Sequence, residues 1–352
     1  MKEDTSFMKL RPTLLWLHRW VGVIAGLVIL LITLTGGVLV FQHTQDRWLN
    51  PGLFPREAGD HAPVSLAVEE VARKHPDMRI QGIRLPRDPH DALVLMGGNR
   101  MIHCDPRSGA ILGVRPRMGL WWQMFVKLHV NLMLGSTGGL IVEIATWITL
   151  GLALTGLWLW WPLRIFGFRK GANFRRINLD LHSVAGLYSS LFLIVVCVTG
   201  LTMRHLHLDH PHSPGAHAPQ AGARRIDVDA AIQAAEKALP GAKAAAVEMP
   251  PPNPHATYRI QLAFPEDGSP AGRSVVFVDP WSGQALAVHS AREGGFLQRY
   301  DNLQLSLHIG AVGGTVTRWI AFFVCVAVLL QIFSGYVLWW KRAGSSKDLI
   351  VK

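Results

Sequence analysis

Histidines at matched spacings are the residues of this chain whose type and pattern could do chemistry. His18 opens the run His18-x3-Gly22-x3-Gly26, which ends in Thr35-Gly36. His182 opens His182-x3-Gly186-x3-Ser190, which ends in Thr199-Gly200, each position 164 residues further on. Leu128-His129 and Leu307-His308 form a second set at an offset of 179, with Gly156 and Gly335 each 27 residues beyond the histidine and Trp160 and Trp339 each 31 beyond. Two imidazoles that meet from opposite sides can supply both axial ligands of a six-coordinate haem iron. Small residues one and two turns past His18 and His182, at Gly22, Gly26, Gly186 and Ser190, leave a flat slot where a macrocycle could lie against the backbone. The chemistry on offer is one-electron transfer, with His18 and His182 as one ligand pair and His129 and His308 as the other. Other uses of the same residues remain open. Gly-x3-Gly is also a packing motif of membrane helices, and a histidine at a membrane interface also serves as a snorkelling or hydrogen-bonded group.

Other histidines rank below these. His43 and His207 keep the 164-residue offset and could compete for the second iron. They cannot share the first, because 25 residues of helix from His18 span about 37 Å. A tract containing His205, His207, His210, His212 and His217 is a weak metal candidate, and a linker explains it as well. Arg19, with Arg175 and Arg176, could pair with haem propionates, or could be ordinary topology-setting charge. Lys127 and Arg299 are weaker outer counterparts of these arginines, and Glu143 is a further functional candidate. Three cysteines, Cys104, Cys197 and Cys325, stand far apart without a CxxC, which supports neither a disulfide framework nor a cysteine metal site.

These side chains need a membrane scaffold. The 352 residues are 49% hydrophobic and only 17% charged, against about 25% charged in a typical globular protein. Four segments reach the length of a bilayer crossing: Val21–Val40, Ile144–Trp161, Val184–Met203 and Trp319–Trp340. The first has no short apolar core with a cleavage site and reads as a span rather than a signal peptide. Arg164, Arg169, Lys170, Arg175 and Arg176 lie between spans two and three. With Lys2, Lys9 and Arg11 at one end and Lys341, Arg342, Lys347 and Lys352 at the other, they place both termini in the cytoplasm. The net charge of +11 is thereby assigned to topology and not to nucleic acid. Trp158, Trp160 and Trp161, with Trp339 and Trp340, fit an aromatic belt at that interface.

The two long loops then lie outside. Val64, Val68 and Val71 match Val228, Ile232 and Ala235 as one face of a short helix. Asp105-Pro106-Arg107-Ser108-Gly109 matches Asp279-Pro280-Trp281-Ser282-Gly283 as a turn between strands. The expected fold is an α-helical membrane protein with four transmembrane helices and an internal twofold repeat, carrying two small α+β outer domains. Residues 14–42, 129–163, 179–204 and 308–341 hold the spans, the second and fourth with an interfacial helix. Residues 43–128 and 205–307 form the outer domains, the latter with the His-rich linker; 164–178 is a basic loop and 342–352 a tail. The halves should pack about an axis along the membrane normal.

This pattern of Leu-His-x3-Gly span, outer helix and hairpin ending in Asp-Pro-x-Ser-Gly, and Leu-His before a span ending in Trp-Trp resembles the PepSY-associated transmembrane proteins over 14–341. Its nearest functional branch resembles the di-haem inner-membrane ferric-siderophore reductases of Gram-negative bacteria. The resemblance implies two b-type haems, periplasmic PepSY domains, and oxidoreductase activity on a ferric siderophore or other ferric chelate. His18, His182, His129 and His308 stand at the recurring histidines. The donor would be a quinol or a cytoplasmic reductase, since no nucleotide or flavin fingerprint is visible. Two other classes compete with this reading: a non-enzymatic PepSY peptide-binding or regulatory module tethered in the bilayer, and a haem or metal transporter. The absence of proline inside the four spans speaks against the broken helices of a transporter.

Overall fold

The structure, a computed structural model, describes residues 5–57, 59–206, 211–217, 223–267 and 272–345, with backbone alone for 5–9 and 341–345. It divides into a helical unit (1–41, 121–206 and 304–352) and a sheet unit (42–120 and 207–303).

The helical unit is built from α1 (Thr5–Leu39), α4 (Trp121–Asn131), α5 (Gly135–Trp160), α6 (Phe174–His205), the last turn of α8 (Phe296–His308) and α9 (Gly314–Ser345). Four of its helices contain stretches long and apolar enough to cross a membrane: Leu10–Leu39, Gly135–Trp160, Phe174–His205 and Gly314–Trp340. Each starts ahead of the apolar run expected from sequence; α5 does so without a side-chain cap at Leu134, whereas a capping residue stops α6. That residue is Asn173, whose side chain accepts from Arg176 N at 3.0 Å. The basic segment expected as loop over 164–178 is therefore helical from Phe174, and His182 lies inside the helix. Asp180, fully buried, ties the remaining loop down through Arg169 N at 3.2 Å and Arg176 Nε at 3.2 Å. Helix α6 packs on α5 and α9, and α1 on α9, α5 and α4. Ala25, Ile29, Val324 and Val328 centre an apolar core with Ile148, Leu152, Phe192, Leu193 and Ile332.

The sheet unit departs from expectation. Its strands are β1 (Gly82–Arg84), β2 (Leu93–Gly97), β3 (Arg100–Cys104), β4 (Ile111–Pro116), β5 (Lys243–Glu248), β6 (Tyr258–Ala263), β7 (Ser274–Val278) and β8 (Ala285–His289). The strands of the two expected outer α+β domains are not separate sheets but pair in one antiparallel sheet in the order β4-β3-β2-β1-β5-β6-β7-β8. The seam pairs Gly82 with Glu248, Ile83 with Val247 and Arg84 with Ala246. Two separate four-stranded sheets would have four edge strands; joining them along β1 and β5 leaves only β4 and β8 at an edge.

Helices α3 (Val64–Lys74) and α7 (Val228–Ala238) share a single core with this sheet. Ala67, Val71, Ala231 and Ala235 are wholly buried beside Ile83, Val247 and Ile260. The innermost stripe thus runs through Ala67 and Ala231, and Val68 and Ile232 pack at its margin. Pro63 cannot cap α3 by a side chain, so Asp229 from the first turn of α7 does: its two oxygens accept from Val64 N at 2.8 Å and Ser65 N at 2.9 Å. Both expected Asp-Pro-x-Ser-Gly turns are present, between β3 and β4 and between β7 and β8. Gly109 and Gly283 each sit at φ 73°, a conformation that costs a residue with a Cβ.

Candidate metal centre

The four leading histidines all belong to the helical unit, and the fold brings them together in the expected pairs. His18 on α1 and His182 on α6 face each other with ring centroids 6.3 Å apart and planes at 89°. His129 on α4 and His308 on α8 lie 6.1 Å apart at 66°. Two imidazoles sharing one metal through nitrogen bonds of about 2 Å hold their centroids about 6.4 Å apart. Both pairs have that spacing. The helices provide it because each ring docks on a Ser/Thr-Gly dipeptide of a neighbouring helix. A Cβ at Gly36 would lie 3.0 Å from His129 Cε1, at Gly200 3.2 Å from His308 Cε1, and at Gly156 3.3 Å from His18 Cε1. At Gly335 it would lie 3.6 Å from His182 Cε1.

The ring orientation is fixed by hydrogen bonds at Nδ1. His182 donates to Gln331 O at 3.0 Å, with Ser334 Oγ at 3.2 Å. His129 donates to Ile32 O at 2.9 Å, with Thr35 Oγ1 at 3.2 Å. His308 donates to Val196 O at 3.0 Å, with Thr199 Oγ1 at 3.1 Å. His18 Nδ1 lies 3.0 Å from Thr155 Oγ1. A carbonyl can only accept, so Nδ1 carries the hydrogen in those three rings and Nε2 keeps its lone pair. This is the tautomer that binds a metal while its other nitrogen is anchored. The hydroxyls of Thr155 and Ser334 escaped sequence reading, although every span carries a Ser/Thr-Gly dipeptide toward one end and that recurrence was available as a signal.

A cavity of about 640 Å³ surrounds the His18–His182 pair, within the range of small-molecule and cofactor sites of roughly 300–1,000 Å³. Gly22, Gly186, Arg19 and Arg175 line it, as a macrocycle slot requires. Arg19 Nε is buried with no hydrogen-bond partner among the described residues, so a cation is available there. Arg176 also lines the cavity but is paired with Asp180. Gly26 and Ser190 line the cavity as well, and Gly26 also admits Tyr336, whose hydroxyl comes within 2.8 Å of a Cβ at that position and donates to Val23 O at 2.8 Å. Among the described residues no three or more His, Cys, Asp or Glu side chains gather around a common point. Two imidazoles alone leave a metal under-coordinated, so these pairs suit a metal that brings its equatorial ligands with it. The residues present fit a haem.

The lower-ranked histidines are engaged elsewhere. His43 lies in the sheet unit on α2 (Gln42–Leu49), and its Nε2 meets Asp91 Oδ1 at 2.8 Å. His205 and Arg204 both pair with Glu143, at 2.9 and 2.7 Å. His217 donates from Nδ1 to Asp279 Oδ2 at 2.8 Å, and His212 is exposed. His207 and His210 lie outside the described residues. The cysteines are free: Cys104 and Cys197 are buried and Cys325 half-buried. Burial pushes the Cys104 thiol up to about 12, which keeps it unreactive.

The family model described as the PepSY-associated TM region matches residues 15–342. A comparison with curated proteins finds no match. The chain belongs to the PepSY-associated transmembrane family.

Proposed function

We propose that this member of the PepSY-associated transmembrane family is a di-haem electron-transfer protein of the bacterial inner membrane that reduces a ferric chelate, such as a ferric siderophore, at its outer face. The observation that carries the reading is the arrangement of four imidazoles in two facing pairs, 6.3 and 6.1 Å apart, with their Nδ1 atoms anchored and their Nε2 atoms unused by any described residue. Bound b-type haem would supply reversible one-electron chemistry at each pair. His18 and His182 are assigned to the cytoplasmic side, where Arg19 and Arg175 offer charge to the acidic edge of the cofactor. His129 and His308 are assigned to the outer side, and the two long outer loops to the periplasm by the basic residues between spans two and three. In this arrangement the two halves are copies of one unit about an axis along the membrane normal, so each helix pair contributes one ligand from each copy. The apolar core around Ile29 and Val328 excludes water between the two pairs. Electrons would come from a quinol or a cytoplasmic reductase.

A haem assay on detergent-purified protein, with protein quantified and a dithionite-reduced-minus-oxidised spectrum recorded, tests the reading. About two low-spin b-type haems per chain are expected. Colourless protein from cells supplied with haem would overturn it and leave a tethered PepSY binding module.

A further inference from the structure

The four anchored rings are not held equally, and the difference singles out one residue. In each case the hydroxyl beside Nδ1 already gives its own hydrogen away along its helix. Thr155 Oγ1 donates to Gly151 O at 2.7 Å, Thr35 Oγ1 to Leu31 O at 2.8 Å, Thr199 Oγ1 to Val195 O at 2.7 Å and Ser334 Oγ to Leu330 O at 2.6 Å. A hydroxyl with its hydrogen committed can only accept from a neighbour. His18 must therefore carry its hydrogen on Nδ1, like the other three rings.

The support behind that hydrogen differs. His182, His129 and His308 each have a main-chain carbonyl as well as a hydroxyl oxygen, and no substitution removes a carbonyl. Among the described residues, His18 has Thr155 Oγ1 as its sole hydrogen-bond acceptor.

The geometry points to Thr155 as the positioning residue that holds His18 in its metal-binding tautomer and orientation, the one place where a single hydroxyl decides whether an iron keeps its axial ligand. The inference rests on the di-haem reading and assigns its inner site a weak point that the outer site lacks. With Thr155 replaced by valine, the buried Nδ1–H of His18 loses its acceptor. The ring can then rotate, or move its hydrogen to Nε2, and either change takes the lone pair away from the metal. Replacing an outer-shell partner of a metal ligand commonly weakens the site about 10–100-fold.

The test compares detergent-purified holoprotein as wild type, Thr155→Val, Thr155→Ser, Thr199→Val and Ser334→Ala. Two readouts are used: haem transfer to excess apomyoglobin, and the low-spin signal in electron paramagnetic resonance. The expected result is that Thr155→Val loses one of its two haems at least about tenfold faster, with about half the low-spin signal converted to high spin. Thr155→Ser should behave as wild type, because serine restores the accepting oxygen. Thr199→Val and Ser334→Ala should lose haem more slowly than Thr155→Val, because a main-chain carbonyl still accepts from His308 and from His182. A Thr155→Val protein with wild-type haem loss and spin state would overturn the assignment while leaving the di-haem reading intact. So would equal loss in Thr199→Val. A residue that merely packs would shift the melting temperature without changing the spin state. Wild type without haem would remove the inference together with its premise.

Discussion

The two halves of the helical unit agree at the histidines and part company a few residues away. Positions 41 and 205 are related by the 164-residue offset, and positions 143 and 322 by the offset of 179. In one contact between the copies these are Phe41 and Phe322, ring centroids 5.9 Å apart, with Trp319 4.7 Å from Phe41. In the other they are His205 and Glu143, joined at 2.9 Å with Arg204 on the same carboxylate. The same helix–helix contact is an aromatic cluster once and an ionic cluster once. Each His, by contrast, docks on a Ser/Thr-Gly dipeptide all four times. The difference separates what the ligand geometry requires from what any stable contact can supply. A facing ring needs an acceptor for its Nδ1 hydrogen, a missing Cβ and a fixed spacing; a contact between helix ends can be satisfied by rings or by charges.

Breaking the shared part should have the largest effect. His308→Ala or His129→Ala is expected to remove one of two haems, leaving His18 and His182 with theirs, as read by the haem-to-protein ratio. Loss of both haems from every single substitution would show that the pairs are not separate sites. A second, smaller effect is expected in the sheet unit, where the matched turns also differ. Asp105 accepts from Arg107 N at 2.8 Å, whereas Asp279 is fully buried and accepts from Trp281 N, Ser282 N, His217 N and His217 Nδ1. Burial alone would raise the Asp279 carboxyl, but the hydrogen bonds from Trp281 and His217 outweigh it and hold it below the usual aspartate range. Its stabilisation is therefore complete above its unfolded pKa of about 3.9 and disappears as pH falls through the lower folded value. Asp279→Asn should cost about 1–3 kcal/mol at neutral pH and flatten the acid limb of a melting-temperature profile. The matching change at Asp105 should cost less. The smallest effect belongs to the ionic cluster: Glu143→Gln is expected to lower stability by about 0.2–1 kcal/mol with the haem ratio unchanged. A drop in haem content would mean the two flanks are not interchangeable after all.

Much of the helical unit was legible because its signals are local. Twenty apolar residues, a run of arginines, and histidines repeating at fixed offsets all sit within the reach of one helix. His18, His182, His129 and His308 could be paired from spacing alone. What spacing could not convey is which way a contact made between distant segments resolves. The β1–β5 seam joins residues more than 150 apart, and β1 has three residues, too few for an alternating pattern to announce itself. His43 looked like a possible ligand because it kept the offset; its bond to Asp91 depends on a loop 48 residues away. Thr155 and Ser334 were hidden differently, since a hydroxyl bonding its own helix four residues back is common in membrane spans and carries no mark of a second use.

The cap that Asp229 places on α3 has a consequence for how the chain is made. Val64 leaves the ribosome 165 residues ahead of the carboxylate that caps its helix, and β1 similarly precedes its neighbour β5. At about 5–20 residues per second, the first loop waits roughly 8–30 s with a helix end uncapped and a strand edge open. During that interval its unpaired edge offers the same main-chain hydrogen bonds to any passing strand. The sheet unit therefore cannot mature segment by segment during synthesis. Its first half keeps that helix end and strand edge open until the second half arrives.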